Sequence, residues 1–319
     1  MLTLRIGLAP GSLAGAALRK RIRSAARWTL GAWVLSLVLL GLLGASGASA
    51  GRLKALLPPV TPPVTKGSLY LALGDSVTFG YQEPTVVPAP SYHNASSFLG
   101  YPEQLGAELH LGVINPACPG ETSASLINAS AQSNGCENGT IAYRKLYPLH
   151  VRYKGSQLAL GVSFLRRHRQ VKLVSLMIGA NDLFLCESST KDACASTAEQ
   201  HAVFTKVAGN VRRILAAVRN QAHYRGQLAI VNYYSLDYTS AFVTNAVLGL
   251  NQAVDAAAKS FGVEVANGFG EFQAASRRSA QNPCTAGLLT QLSGGGCGVH
   301  PSYAGQALLA EALLKAIRL

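Results

Sequence analysis

Four short blocks of the chain carry residue types suited to breaking an ester. They are Gly74-Asp75-Ser76-Val77-Thr78-Phe79-Gly80, Asn115-Pro116-Ala117-Cys118-Pro119-Gly120-Glu121-Thr122, Gly179-Ala180-Asn181-Asp182 and Cys297-Gly298-Val299-His300-Pro301. Acyl transfer needs a nucleophile, a base for its proton, donors for the developing oxyanion and access for water. A serine hydroxyl is a poor nucleophile at neutral pH, so an imidazole must stand beside it. Ser76 and His300 supply those two groups. The backbone N–H groups of Ser76 and Gly120 and the side-chain amide of Asn181 supply donors. Taken singly, each block also has a plain structural reading: Asp and Ser cap helices, Gly120 suits a turn, Asn181 suits a cap, and a lone histidine usually serves the fold. His300 differs from the other six histidines in lying in a glycine-rich turn just before the last helix.

Each of the first three blocks follows an apolar run that reads as a strand. Leu69 to Leu73 is short, apolar and followed at once by turn chemistry, the pattern of a buried parallel strand. Gly112 to Asn115 and Val171 to Ile178 precede the second and third blocks, and Gln227 to Tyr233 and Gly262 to Ala266 complete a set of five strands. Helical patterns cover Phe98 to His110, Gly155 to His168, Thr197 to His223 and Ser240 to Phe261, and a last helix starts at Ser302. Strands alternating with helices imply a parallel sheet covered on both faces. A serine at the carboxyl end of such a strand lies where open α/β sheets handle ligands. No Gly-x-Ser-x-Gly elbow surrounds Ser76, which argues against the α/β-hydrolase arrangement.

The chain has 319 residues, 49% hydrophobic and 13% charged, enough for one large domain with a substantial core. Its net charge of +13 is not a nucleic-acid signature. Every basic residue from Arg5 to Lys66 precedes the first acidic residue, Asp75, and the remainder forms no basic stripe with interleaved aromatics. The N-terminus explains the excess. A basic cluster from Arg19 to Arg27 leads into an apolar stretch from Trp28 to Gly44 and then into small residues ending at Ala50. Residues 1–50 are thus expected to be a signal peptide or an uncleaved membrane anchor. Either places the rest of the chain outside the cytoplasm, secreted or anchored, with membrane contact through the N-terminal segment in the second case. Residues 51–67, with four prolines, read as a linker.

Six cysteines in an exported chain suggest disulfides. The simplest pairing joins neighbours, Cys118 to Cys136, Cys186 to Cys194 and Cys284 to Cys297, each closing a short loop beside one of the blocks. The spacing of cysteines and histidines supports no metal site.

In order and spacing the four blocks resemble those of the SGNH hydrolases, also called GDSL-type esterases and lipases. The resemblance covers residues 68–319. It implies a flavodoxin-like three-layer α/β/α sandwich around about five parallel strands, with no metal or organic cofactor. By the same resemblance Ser76 is the nucleophile, His300 the base, and Ser76, Gly120 and Asn181 form the oxyanion hole. One position departs from the pattern. The family places an aspartate three residues before the histidine, and here that residue is Cys297. The expected substitute is a backbone carbonyl near Cys297, giving a Ser–His dyad, or an acid from another loop, for which Asp237 and Glu271 are the candidates. The expected activity is hydrolysis of carboxylic esters of small molecules or lipids by a monomer. An acyltransferase of the same fold, or a decayed ligand-binding module, is the alternative. Loops 81–97, 123–157 and 183–196 are expected to shape the acyl pocket.

Overall fold

The computed structural model describes residues 61–139 and 141–319. The expected leader, and the linker up to residue 60, lie outside the described residues. The elements in chain order are β1 (Leu69–Gly74), α1 (Ser76–Phe79), α2 (Tyr101–Leu109), β2 (Gly112–Ile114), α3 (Ser123–Ile127), α4 (Tyr143–Leu146), α5 (Gln157–Arg167), β3 (Val171–Met177), α6 (Ala180–Ser189), α7 (Thr197–Ala216), β4 (Gln227–Val231), α8 (Ala241–Ala258), β5 (Val263–Ala266), α9 (Gly268–Ser276), β6 (Leu289–Gln291), β7 (Cys297–Pro301) and α10 (Tyr303–Ala316).

Strands β1 to β5 form one parallel sheet in the order β2-β1-β3-β4-β5. This is the flavodoxin-like order, and its topological switch point falls between β1 and β3. Leu71, Leu73, Leu173, Leu176 and Ile230 are buried, as parallel strands covered on both faces require. Helices α2, α9 and α10 pack together, and α3, α5, α7 and α8 form the other group. Inside the sheet, Tyr70 Oη and Ser175 Oγ are hydrogen-bonded at 2.6 Å, which satisfies two hydroxyls that burial would otherwise penalise.

The five strands and the long helices lie where the apolar periodicity predicts them. Three features differ. Residues 180–189 form helix α6 rather than the start of a loop; its sequence, ANDLFLCESS, lacks an apolar stripe because its place is at the rim of the sheet. The glycine- and cysteine-rich stretch before the last helix is not all loop. It contains the antiparallel pair β6 and β7, so His300 stands on a strand. A further bridge joins Val86 to Leu292, and Ser293 N donates to Thr85 O at 2.7 Å, so the loop after α1 docks on this hairpin. Finally, residues 61–67 do not behave as a free linker. Val64 is buried, its N–H donates to Arg318 O at 2.8 Å, and Gln227 Nε2 holds both Pro62 O and Arg318 O. Extended, proline-rich backbone lies readily against a strand end when a side chain such as Gln227 satisfies its carbonyls.

The three disulfides join the neighbouring cysteines, Cys118–Cys136, Cys186–Cys194 and Cys284–Cys297. Among the described residues no helix is long and apolar enough to cross a membrane.

Three carboxyl groups, of Asp75, Glu121 and Asp182, are buried, and Glu103, in the first turn of α2, is partly buried. Glu103 accepts from Gly100 N and Asn115 Nδ2, Glu121 from Ser125 and Gln157, Asp182 from Ser123, and Asp75 from Val77 N and the Tyr233 hydroxyl. Burial outweighs these bonds and raises all four: Asp75 to about 6, Glu103 and Glu121 to about 7, and Asp182 in the same direction. The unfolded chain loses the corresponding protons near pH 4, while the native state keeps them longer. The native state therefore binds more protons between about pH 4 and 7, and these groups make stability fall as pH rises through that window. Thermal unfolding should accordingly give a higher Tm at pH 5 than at pH 8; a Tm that rises between those values contradicts this assignment.

Candidate active site

Helix α1 is a single turn, set directly on the end of β1, with Asp75 as its N-cap. Asp75 Oδ1 accepts from Val77 N at 3.0 Å, and Gly80 closes the turn in the left-handed region. So short a helix has little stability of its own. Side chains from distant elements hold it. Gln157, on α5, brackets Gly74, accepting from its N–H at 2.7 Å and donating to its carbonyl at 2.9 Å. Gln306, on α10, donates to Val77 O at 3.0 Å, and Asn115 Nδ2 donates to Thr78 O at 2.8 Å. The result is a Ser76 hydroxyl fixed at the carboxyl end of β1, with the residue 8% exposed.

His300 reaches this hydroxyl from strand β7, 224 residues away in sequence. Its Nε2 lies 2.9 Å from Ser76 Oγ. Its Nδ1 lies 2.8 Å from Oε1 of Glu83, and both side chains are largely shielded from solvent. The same Oε1 accepts from Val299 N at 2.8 Å and His300 N at 3.3 Å, while Oε2 accepts from Thr290 Oγ1 at 2.6 Å. Burial alone would raise the Glu83 carboxyl; the hydrogen bond and charge of His300, with the Thr290 bond, overcome that and hold it at about 2. Glu83 is therefore an anion over the whole working range. Gly298 makes this approach feasible, since a Cβ at that position would overlap Glu83 Oε1.

Glu83, and neither of the acids expected from the sequence, is the partner of His300 Nδ1. Asp237 is partly exposed and caps the turn at Thr239, accepting from its N–H at 2.8 Å and its hydroxyl at 2.6 Å. Glu271 pairs with Lys315 at 2.8 Å on α10. Neither contacts His300, and the partner of Nδ1 is a carboxylate rather than a backbone carbonyl, so the dyad expectation is also corrected. Cys297 is a half-cystine bonded to Cys284. The signal available for Glu83 was slight: it is the only acid between Asp75 and Glu103, in a loop that leaves the carboxyl end of β1.

The remaining predicted residues gather around the same hydroxyl. Ser76, Gly120, Asn181 and His300 all line one cavity. Gly120 has a φ of +82°, and a Cβ there would come within 2.5 Å of Asn134 O, so only glycine fits. Neither its N–H nor that of Ser76 has an acceptor among the described residues. Asn181 is oriented by Asn134, a residue that belongs to none of the four blocks: Asn134 Nδ2 donates to Asn181 Oδ1 at 3.0 Å. That bond turns the Asn181 NH2 group toward the serine side, where it also lies 3.4 Å from Asp75 Oδ2. The Cys118–Cys136 disulfide closes the loop that carries both Gly120 and Asn134. Two groupings of metal-ligating residue types, Cys118 with Glu121 and Cys136, and Cys186 with Cys194 and Glu199, each contain a disulfide rather than thiolates.

Ser76, Gly120, Asn181 and His300 thus border one cavity at the sheet's switch point, with the Glu83 carboxylate behind the imidazole. Comparison with known proteins agrees. The pattern of the GDSL-like lipase/acylhydrolase family matches residues 72–308. No curated protein sequence matches the chain. Among solved structures, the lipase Lip_vut3 from a goat rumen metagenome is similar at 15% identity and a TM-score of 0.51, over 78% of this chain and 97% of that one. The acetylxylan esterase Axe2 from Geobacillus stearothermophilus is similar at 17% identity and a TM-score of 0.48, over 80% of this chain and 96% of that one. At such identities the first likeness is one of fold. The family match runs from β1 through the histidine strand into the last helix and covers most of the sequence, and the chain accordingly belongs to the GDSL-like lipase/acylhydrolase family and is a carboxylic-ester hydrolase.

Proposed function

We propose that the enzyme works through an acyl-enzyme on Ser76, with His300 as general base and Glu83 as the acid that orients it. The observation that carries this reading is the unbroken chain from Ser76 Oγ to His300 Nε2 at 2.9 Å and from His300 Nδ1 to Glu83 Oε1 at 2.8 Å. Ser76 Oγ attacks the acyl carbon and its proton passes to Nε2. The carbonyl oxygen gains charge and accepts hydrogen bonds from Ser76 N, Gly120 N and Asn181 Nδ2. As the tetrahedral intermediate collapses, the ester C–O bond breaks and the alcohol leaves with the proton from Nε2. Water then attacks the acyl carbon, gives its proton to Nε2, and the acid departs as Ser76 Oγ is reprotonated. Glu83 keeps the Nδ1–H tautomer and stabilises the imidazolium without taking the proton itself, in keeping with its low pKa.

Export fits the same reading. A basic and apolar leader precedes a domain closed by three disulfides, which form and persist in oxidising compartments. We therefore assign the domain, from about residue 61 to the C-terminus, to the extracytoplasmic side.

Ser76→Ala and His300→Ala should each lower kcat on p-nitrophenyl esters by about 10³-fold or more, and an organophosphonate should label Ser76 stoichiometrically in the wild type. Turnover that survives both substitutions rules the mechanism out. Glu83→Gln should lower kcat by about 10²- to 10⁴-fold. Asp237→Asn and Glu271→Gln should stay within about twofold of wild type, as surface substitutions do. A large loss in either, with Glu83→Gln fully active, assigns the acid wrongly here. Gly298→Ala should mimic Glu83→Gln in rate, since its methyl group displaces the carboxylate; a fully active Gly298→Ala enzyme shows that the close approach is dispensable.

A further inference from the structure

Two cavities open beside the Ser76–His300 pair. The larger encloses about 310 Å³. Leu183 and Phe184 of α6 form one wall, and Val243, Ala246 and Val247 of α8, with Leu236, form the other. Beyond the reacting end, Glu187 and Gln200 are the polar residues that touch it. The smaller encloses about 170 Å³ and is bounded by Gly120, Asn134, Gly135, Tyr81 and Tyr143.

The geometry points to the larger cavity as the acyl-chain site, and to medium-chain acyl esters, rather than acetyl esters, as the substrates. This rests on the acyl-enzyme reading above. Both cavities border the Ser76 hydroxyl, so the acyl and alcohol halves of an ester bound there must divide between them. Both cavities have mainly apolar walls, so size decides: the larger suits a hydrocarbon chain and the smaller suits the alcohol. At about 30 Å³ per chain carbon, roughly the share of one water molecule, the larger cavity has room for on the order of ten carbons. An acetyl group would leave most of it to solvent. Each methylene buried against these walls should raise kcat/KM by about fourfold, the equivalent of about 0.8 kcal/mol.

The three loops expected to shape the pocket divide between the two cavities. Of the expected loops, 183–196 contributes Leu183, Phe184, Glu187 and Cys194, while 81–97 and 123–157 line the smaller cavity through Tyr81, Asn134, Gly135 and Tyr143. Helix α8 supplies the rest of the larger one. Several of its apolar residues, Val243, Ala246 and Val247 among them, remain only half-buried, which is what a wall facing an open cavity requires.

The test is kcat/KM for p-nitrophenyl acetate, butyrate and octanoate below their micellar concentrations. It compares the wild type, Ala246→Trp, which fills the larger cavity, and Ile141→Trp, which narrows the smaller one. The wild type should prefer octanoate to acetate by about tenfold or more. Ala246→Trp should reduce that ratio by about tenfold, and Ile141→Trp should leave it within about twofold. Val247→Phe serves the same purpose should Ala246→Trp fail to fold. A wild type that prefers acetate overturns the inference, and so does a ratio that collapses in Ile141→Trp but not in Ala246→Trp. Loss of the inference alone leaves Ser76-dependent hydrolysis of short esters intact. A protein that turns over no ester and is not labelled at Ser76 overturns the acyl-enzyme reading as well.

Discussion

One carboxylate ties the two ends of the domain together. Glu83 leaves the carboxyl end of the first strand, and its two oxygens receive four hydrogen bonds from the C-terminal hairpin: two backbone N–H groups, a threonine hydroxyl and the imidazole of His300. A buried anion survives only when it is paired and hydrogen-bonded, and this one is satisfied so fully that it stays ionised far into acid. The same contacts fix the hairpin against the serine turn. Orientation of the imidazole and docking of the last strand pair are therefore one interaction. The glycine at 298 marks its cost, since any side chain there would push the carboxylate away.

The rest of the site follows from the sheet. Its order puts the chain reversal between β1 and β3, and the segments leaving those two strands carry Ser76 and Asn181. The serine sits on a helix too short to hold itself, so glutamines from α5 and α10 and an asparagine after β2 clamp it from several sides. A disulfide and the Asn134–Asn181 bond do the same for Gly120 and the Asn181 amide. Positioning groups before the reaction avoids reorganisation during it. Rigid surroundings of this kind are how a site made of loops keeps its geometry.

Much of this arrangement is legible from residue types and order. The strands announce themselves by short apolar runs, because a parallel sheet buries both faces. The blocks around Ser76, Gly120, Asn181 and His300 stand out because turn chemistry follows strand chemistry directly, and the fold does gather them at one point. The pairing of cysteines follows from proximity in the chain. What escapes the sequence is what depends on contact at long range. Glu83 lies in a loop rich in Pro, Ser and Asn, 217 residues from its partner, and nothing local distinguishes it from a solvated acid. Cys297 drew attention to a missing aspartate without saying where a substitute would come from. The hairpin of β6 and β7 escapes because its strands are three and five residues long and flank a run of glycines. The cavity wall on α8 escapes because an apolar helical face reads the same whether it meets a core or an empty space.

The central claim is that the Nδ1 proton of His300 is held by the Glu83 carboxylate. Proton NMR observes that hydrogen directly, since an imidazole N–H bonded to a buried carboxylate is shielded from exchange and resonates well downfield of the amide region. The account predicts such a resonance in the wild type and in Ser76→Ala, and its loss in both His300→Ala and a folded Glu83→Gln protein. A downfield resonance that persists unchanged in Glu83→Gln would contradict it, and would return the imidazole to a backbone partner.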